Sequence, residues 1–121
     1  MPGAAIPRLD TVTIDCPEPA RLARFYGELL EWPVPAGDDD FIAIDPPGGG
    51  TALTFQRIDD FVTPTWPSPA VPQQMHLDLA VDDLDAAGER AVALGARLLD
   101  TQAKFRVFAD PVGHPFCLCH W

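Results

Sequence analysis

The sequence predicts an α+β fold built from two successive βαβββ modules. Three observations carry that prediction. Short apolar runs alternate with polar residues and are bounded by Pro- and Gly-rich turns. Two longer stretches place apolar residues at helical spacing, and the second half repeats the order of the first. With 121 residues the chain has room for one domain but not for two ordinary ones.

The elements follow in order. Residues 9–15, Leu-Asp-Thr-Val-Thr-Ile-Asp, alternate as a half-buried strand does. Asp15 and Glu18 lead into Leu22, Phe25, Tyr26 and Leu29, which share one helical face. Trp32-Pro-Val-Pro35 ends that helix, because proline cannot continue it. Phe41-Ile-Ala-Ile44, the turn Pro46-Pro-Gly-Gly-Gly50 and residues 51–58 read as a hairpin. In the second half residues 75–81 alternate, and Asp82-Asp83 supplies a helix start. Leu84, Ala87, Ala91 and Leu94 form its buried stripe, and Gly95 stands where a left-handed terminator belongs. Residues 97–99, 105–109 and 116–120, with the turn Asp110-Pro-Val-Gly113, complete the set.

The halves align at an offset of 65 through strand and helix, which puts Thr11 on His76, Leu22 on Ala87 and Leu29 on Leu94. Past the Gly-rich turn the offset becomes 63, placing Thr54 on Cys117 and Gln56 on Cys119. A change of two keeps strand parity, and with it the face each side chain uses. Module 1 therefore covers about 8–58 and module 2 about 74–121. Between them, residues 59–73 contain Pro64, Pro67, Pro69 and Pro72 of the chain's 14 prolines, which makes them a stiff, extended connector. Its one large aromatic, Trp66, reads first as core cover and second as a ligand wall.

Composition excludes several function classes. The 8 Lys and Arg against 18 Asp and Glu leave a charge of −10, which disfavours nucleic acid and acidic membrane surfaces. No apolar run is long enough to span a bilayer, and no signal peptide is expected. Cys16, Cys117 and Cys119 cannot all pair, so reduced thiols and a cytoplasmic location are expected. No phosphate loop, dinucleotide motif or nucleophile elbow occurs. The acidic runs 38–40, 59–60 and 82–83 read as solvated loops and caps.

Parity sorts the strand residues. Thr11, Thr13, His76 and Asp78 share one face with Thr54, Gln56, Cys117 and Cys119. The other face, Val12, Ile14, Leu77, Leu79, Phe55 and Leu118, is apolar and belongs under the helices. A polar face backed by an apolar one suits a wet cavity over a core.

Ala23-Arg-Phe-Tyr-Gly-Glu-Leu-Leu30 after the first strand, and Asp110-Pro-Val-Gly-His-Pro-Phe116 before the last, resemble the corresponding motifs of the vicinal oxygen chelate superfamily. That superfamily includes glyoxalase I, extradiol dioxygenases and the fosfomycin- and bleomycin-resistance proteins. Trp66-Pro-Ser-Pro69 and residues 73–82 look most like its compact bacterial glyoxalase-like domains, and the resemblance spans about residues 8–121. It implies a cup-shaped mixed sheet with helices outside, one glyoxalase-like domain, a homodimer and a small-molecule ligand. It leaves open whether the cup closes within one chain or across partners.

The resemblance also implies four metal-ligand positions, which fall on Thr11, Thr54, His76 and Cys117. Only His76 is of the usual type, and threonine hydroxyls are poor ligands for a divalent transition metal. The expectation is therefore a protein without the usual metal and with no cofactor, binding a small, partly apolar molecule through Thr11, Thr13, Thr54, Gln56, His76, Asp78, Trp66, Cys117 and Cys119. The alternative is a lyase or isomerase that uses His76 and Asp78 as catalytic acid and base, or an atypical zinc site on His76 and Cys117, with Cys119 as a further thiol. Asp78 has a structural reading too, as the ion-pair partner of Arg57 or Arg106. His114 reads as turn chemistry, and His120 carries no catalytic signal.

Overall fold

Local chemistry sets each helix end. In the computed structural model, which describes residues 5–37 and 39–120, helix α1 (Pro19–Leu30) begins on a proline whose missing N–H costs nothing in a first turn. It stops where Glu31 turns left-handed, at φ 58°, and Trp32 N–H donates back to the Gly27 carbonyl. Helix α2 (Leu84–Leu94) starts under Asp83, whose carboxylate accepts the Ala86 N–H at 3.1 Å. It ends at Gly95, whose φ of 124° a residue with a side chain rarely adopts.

Strands β1 (Thr11–Cys16), β2 (Phe41–Ile44) and β3 (Ala52–Arg57) form one sheet in the order β1-β3-β2. Strands β4 (Leu77–Ala80), β5 (Arg97–Thr101), β6 (Phe105–Ala109) and β7 (Pro115–Cys119) form a second, ordered β4-β7-β6-β5. Each sheet joins its first and last strands in parallel and is otherwise antiparallel. The internal repeat reappears in the register: Thr13 lies opposite Thr54 as Asp78 lies opposite Cys117. Both offsets deduced above are satisfied by that correspondence.

The α+β class holds, with one difference in the first half. Among the described residues it has three strands, one fewer than a βαβββ module requires. After α1 the chain runs through Trp32-Pro-Val-Pro35 without joining the sheet, since two prolines remove the donors a ladder needs.

One apolar core serves both halves. Ile14, Leu22, Phe25, Tyr26 and Phe55 pack with Phe108, Phe116 and Leu118, while Val12, Leu77 and Leu79 lie against them. The Tyr26 ring stacks on Phe55 at 5.7 Å and meets Phe116 edge-on at 6.0 Å. Polar contacts join the halves as well. The Tyr26 hydroxyl donates to Asp110 Oδ2 at 2.7 Å, and Arg90 of α2 donates to the Glu28 and Leu29 carbonyls at the open end of α1.

Candidate functional site

The inner face of β1, opposite the core, presents Thr13 and Asp15. Along it runs the connector. Thr65 N–H donates to the Val71 carbonyl and its hydroxyl accepts from Val71 N–H, each at 2.8 Å, so the proline-rich segment closes into a loop. The Thr63 hydroxyl donates to the Val112 carbonyl at 3.3 Å, which fastens that loop to the turn before β7. Gly113 makes the approach feasible: its φ is 99°, and a Cβ there would lie 2.1 Å from Thr63 Cγ2.

His114, next in the turn, crosses between the halves. Its Nε2 lies 2.6 Å from the Asp15 carbonyl and its ring sits 5.2 Å from that of Phe61. A carbonyl can only accept, so Nε2 carries the proton. Thr13, Asp15, Asp60, Phe61, Met75 and His114 are among the walls of the resulting cavity, whose volume is about 310 Å³. Apolar walls with a few polar groups are the usual make-up of a small-molecule site.

Of the nine side chains expected to bind ligand, only Thr13 lines this cavity. Thr11 and Thr54 hydrogen-bond each other, Oγ1 to Oγ1, at 2.7 Å, and Thr54 is 1% exposed. Gln56 is exposed near the end of β3. Trp66 packs with Leu99, Phe105, Val107, Cys117 and Cys119, which is the core-cover role. His76, Asp78 and Cys117 form a separate cluster, with His76 Nε2 3.2 Å from Asp78 Oδ1 and all three donor atoms within 4.8 Å of one another.

The ion pairs differ from one expectation. Neither arginine considered for Asp78 pairs with it: Arg57 holds Asp40 and Asp59, and Arg106 holds Asp85. The remaining histidine, His120, is tied to the Val81 carbonyl at 2.9 Å through Nδ1.

All three cysteines are free and buried. Burial above all, then the Asp78 carboxylate, pushes the Cys117 thiol up to about 12. Burial likewise pushes Cys16 up to about 11, and raises Cys119. Asp110 is 4% exposed, and desolvation raises its pKa; the Tyr26 hydroxyl and the N–H groups of Val112 and His114 oppose that rise.

The four-position metal set implied by the superfamily does not fit these residues. Two of its positions are threonine hydroxyls bonded to each other, and Thr11 Oγ1 also lies 3.1 Å from the Ala52 carbonyl. The connector residues that build the cavity escaped sequence reasoning. Their signal was the apolar content of a supposed linker, Phe61, Val62 and Val71, with Met75 just beyond it and a histidine following Gly113.

Comparison with known proteins agrees with this architecture. A family model described as a glyoxalase-like domain matches residues 11–119. No curated protein matches the chain. Among solved structures, a glyoxalase/bleomycin resistance protein/dioxygenase family enzyme from Burkholderia phytofirmans PsJN superposes with a TM-score of 0.73 at 16% identity, over 94% of this chain and 98% of that one. A glyoxalase-related enzyme from Fulvimarina pelagi gives 0.70 at 22%, over 96% and 89%. TnmS3, an antibiotic binding protein from Streptomyces sp. CB03234, gives 0.63 at 22%, over 96% and 97%. At such identities the structures speak for the fold alone, while the family model covers nearly the whole sequence. The chain belongs to the glyoxalase-like domain family, within the vicinal oxygen chelate superfamily.

Proposed function

We propose that this protein binds a small, partly apolar organic molecule in the cavity between β1 and the connector, without the superfamily's usual metal. The cavity of about 310 Å³ carries the reading. Its size suits a compact ligand, and its Phe61, Val62, Pro64 and Met75 walls offer apolar area to bury. Likeness to an antibiotic binding protein supports binding as an end in itself. Titration of 15N-labelled protein with a panel of antibiotics and metabolites tests it. Shifts should concentrate at Thr13, Phe61, Met75 and His114, and Met75→Trp should abolish them by filling the space. Shifts confined to other surfaces, or none across the panel, would refute the proposal.

One observation favours a second reading, a lyase or isomerase centred on the His76–Asp78–Cys117 cluster. Nitrogen, carboxylate and sulfur donors within 4.8 Å of one another could serve as acid and base, or hold zinc in a set from β7, β4 and the residue before it. Cobalt(II) would then give a thiolate-to-metal absorption band that Cys117→Ser removes. A spectrum identical in wild type and variant would end the metal version. The same substrate turnover in wild type and His76→Ala would end the acid–base version.

A further inference from the structure

We infer that the cavity ligand carries a protonated amine on an aromatic or otherwise apolar body, an inference that rests on the binding role proposed above. Asp15 and Asp60 both line the cavity, and no lysine or arginine does. Among the described residues neither carboxylate takes part in an ion pair, whereas the adjacent Asp59 is engaged by Arg57. Both carboxylates therefore remain available to a ligand.

Hydrogen-bonding capacity points the same way. His114 already spends its Nε2–H on the Asp15 carbonyl, so that proton is not offered to a ligand. The two carboxylates make the wall rich in acceptors, with side-chain donors on Thr13 and Gln74. An ammonium group offers three N–H donors and one positive charge, which complements such a wall; a carboxylate ligand would face repulsion from it.

The apolar part has its own partners. Phe61 and His114 pack ring against ring at 5.2 Å, and Met75, Val62 and Pro64 continue that surface. A flat ring set against Phe61 would bury area while its ammonium group reaches the acidic side. A net charge of −10 raises the local concentration of any cation at low salt.

Three probes of nearly one shape and different charge test the inference. Tryptamine is cationic, tryptophol is its neutral counterpart and indole-3-propionate its anionic one. Calorimetry or NMR titration of the full chain at pH 7 should find tryptamine bound about tenfold more tightly than tryptophol, equivalent to about 1.4 kcal/mol. Indole-3-propionate should be weakest, and the tryptamine preference should shrink as salt rises. Asp60→Asn should lower tryptamine affinity several-fold and leave tryptophol unchanged, with Asp15→Asn as the second variant should the first fold poorly. Equal affinity for all three probes, or tightest binding of the anion, would overturn the cation preference while the binding role stands. Binding of none up to millimolar concentration would overturn both.

Discussion

Replacing Tyr26 with phenylalanine removes one oxygen from the contact that locks the halves together. In the native protein that hydroxyl donates at 2.7 Å to Asp110 Oδ2, while Oδ1 accepts from the N–H groups of Val112 and His114. With Asp110 4% exposed, water cannot replace the lost donor without entering the core. A hydrogen bond to a charged group contributes about 1.5–3 kcal/mol, so a loss of about 2 kcal/mol is expected near pH 7. For a domain of this length that corresponds to roughly 6–10 °C in Tm. The loss should depend on pH, and its sign follows from Asp110. Burial raises that carboxyl above its ordinary value of 3.8, so the stability it contributes is fully present below 3.8 and is lost as pH rises through the folded value. Tyr26 opposes the rise, so Tyr26→Phe lifts the folded value further and enlarges the loss at neutral pH. Urea unfolding of both proteins at intervals from pH 4 to pH 7.5 reads this directly. The gap should narrow toward about 1 kcal/mol at the acid end, where a neutral–neutral bond is lost. A gap below 0.5 kcal/mol at pH 7, or one constant across the range, would refute the reasoning.

Three more outcomes follow from the same structure. Thiol reagents at pH 8 should find no fast cysteine in the native protein and three in urea: with Cys16 raised to about 11 and Cys117 to about 12, the thiolate fraction is about one part in a thousand or less. These groups also predict an alkaline loss of stability beginning near pH 9, where thiols of the unfolded chain ionise first; a rapid native thiol or a flat alkaline profile would contradict the burial argument. Gly113→Ala should cost about 2 kcal/mol, because it combines a φ of 99° with a Cβ 2.1 Å from Thr63 Cγ2. Adding Thr63→Ser should recover the part due to the methyl group, as read by thermal unfolding; no recovery would place the whole cost in the backbone.

Much of the fold was legible because its signals are local and independent of partners. Alternation located β1, β3 and β7, the Leu22-to-Leu29 spacing located α1, and Asp83 and Gly95 marked both ends of α2. Even face assignment succeeded, since Ile14, Phe55 and Leu118 entered the core and Thr13 did not. The fourth strand of the first half failed where analogy with the second half outweighed two prolines. The site was less legible, for a physical reason. A cavity is made by what covers a face, and no periodicity tells where an extended, proline-rich segment will lie. Parity placed Thr11, Thr54, Cys117 and Cys119 together on the inner faces but could not show that the threonines bond to each other or that Trp66 lies over the cysteines.

The repeat sharpens what the connector does. Thr13 opposite Thr54 and Asp78 opposite Cys117 occupy equivalent registers, so two such halves begin with equivalent inner faces. Their present difference lies in what covers each one. Over the second sheet the connector sets Trp66 against the buried Cys117 and Cys119, whose thiols burial and the Asp78 carboxylate push up. Beside the first it stands off β1, and Phe61, Val62 and Met75 enclose a space floored by Thr13 and Asp15. The fastening of that arrangement lies at the turn before β7, where Thr63 donates to Val112, Gly113 admits the threonine and His114 reaches Asp15. A change in connector length or in this turn would therefore reshape the cavity while leaving both sheets and their shared core in place. Under the binding role proposed above, ligand choice would therefore fall to residues 58–75 and 112–114 more than to the strands that carry the superfamily's metal positions.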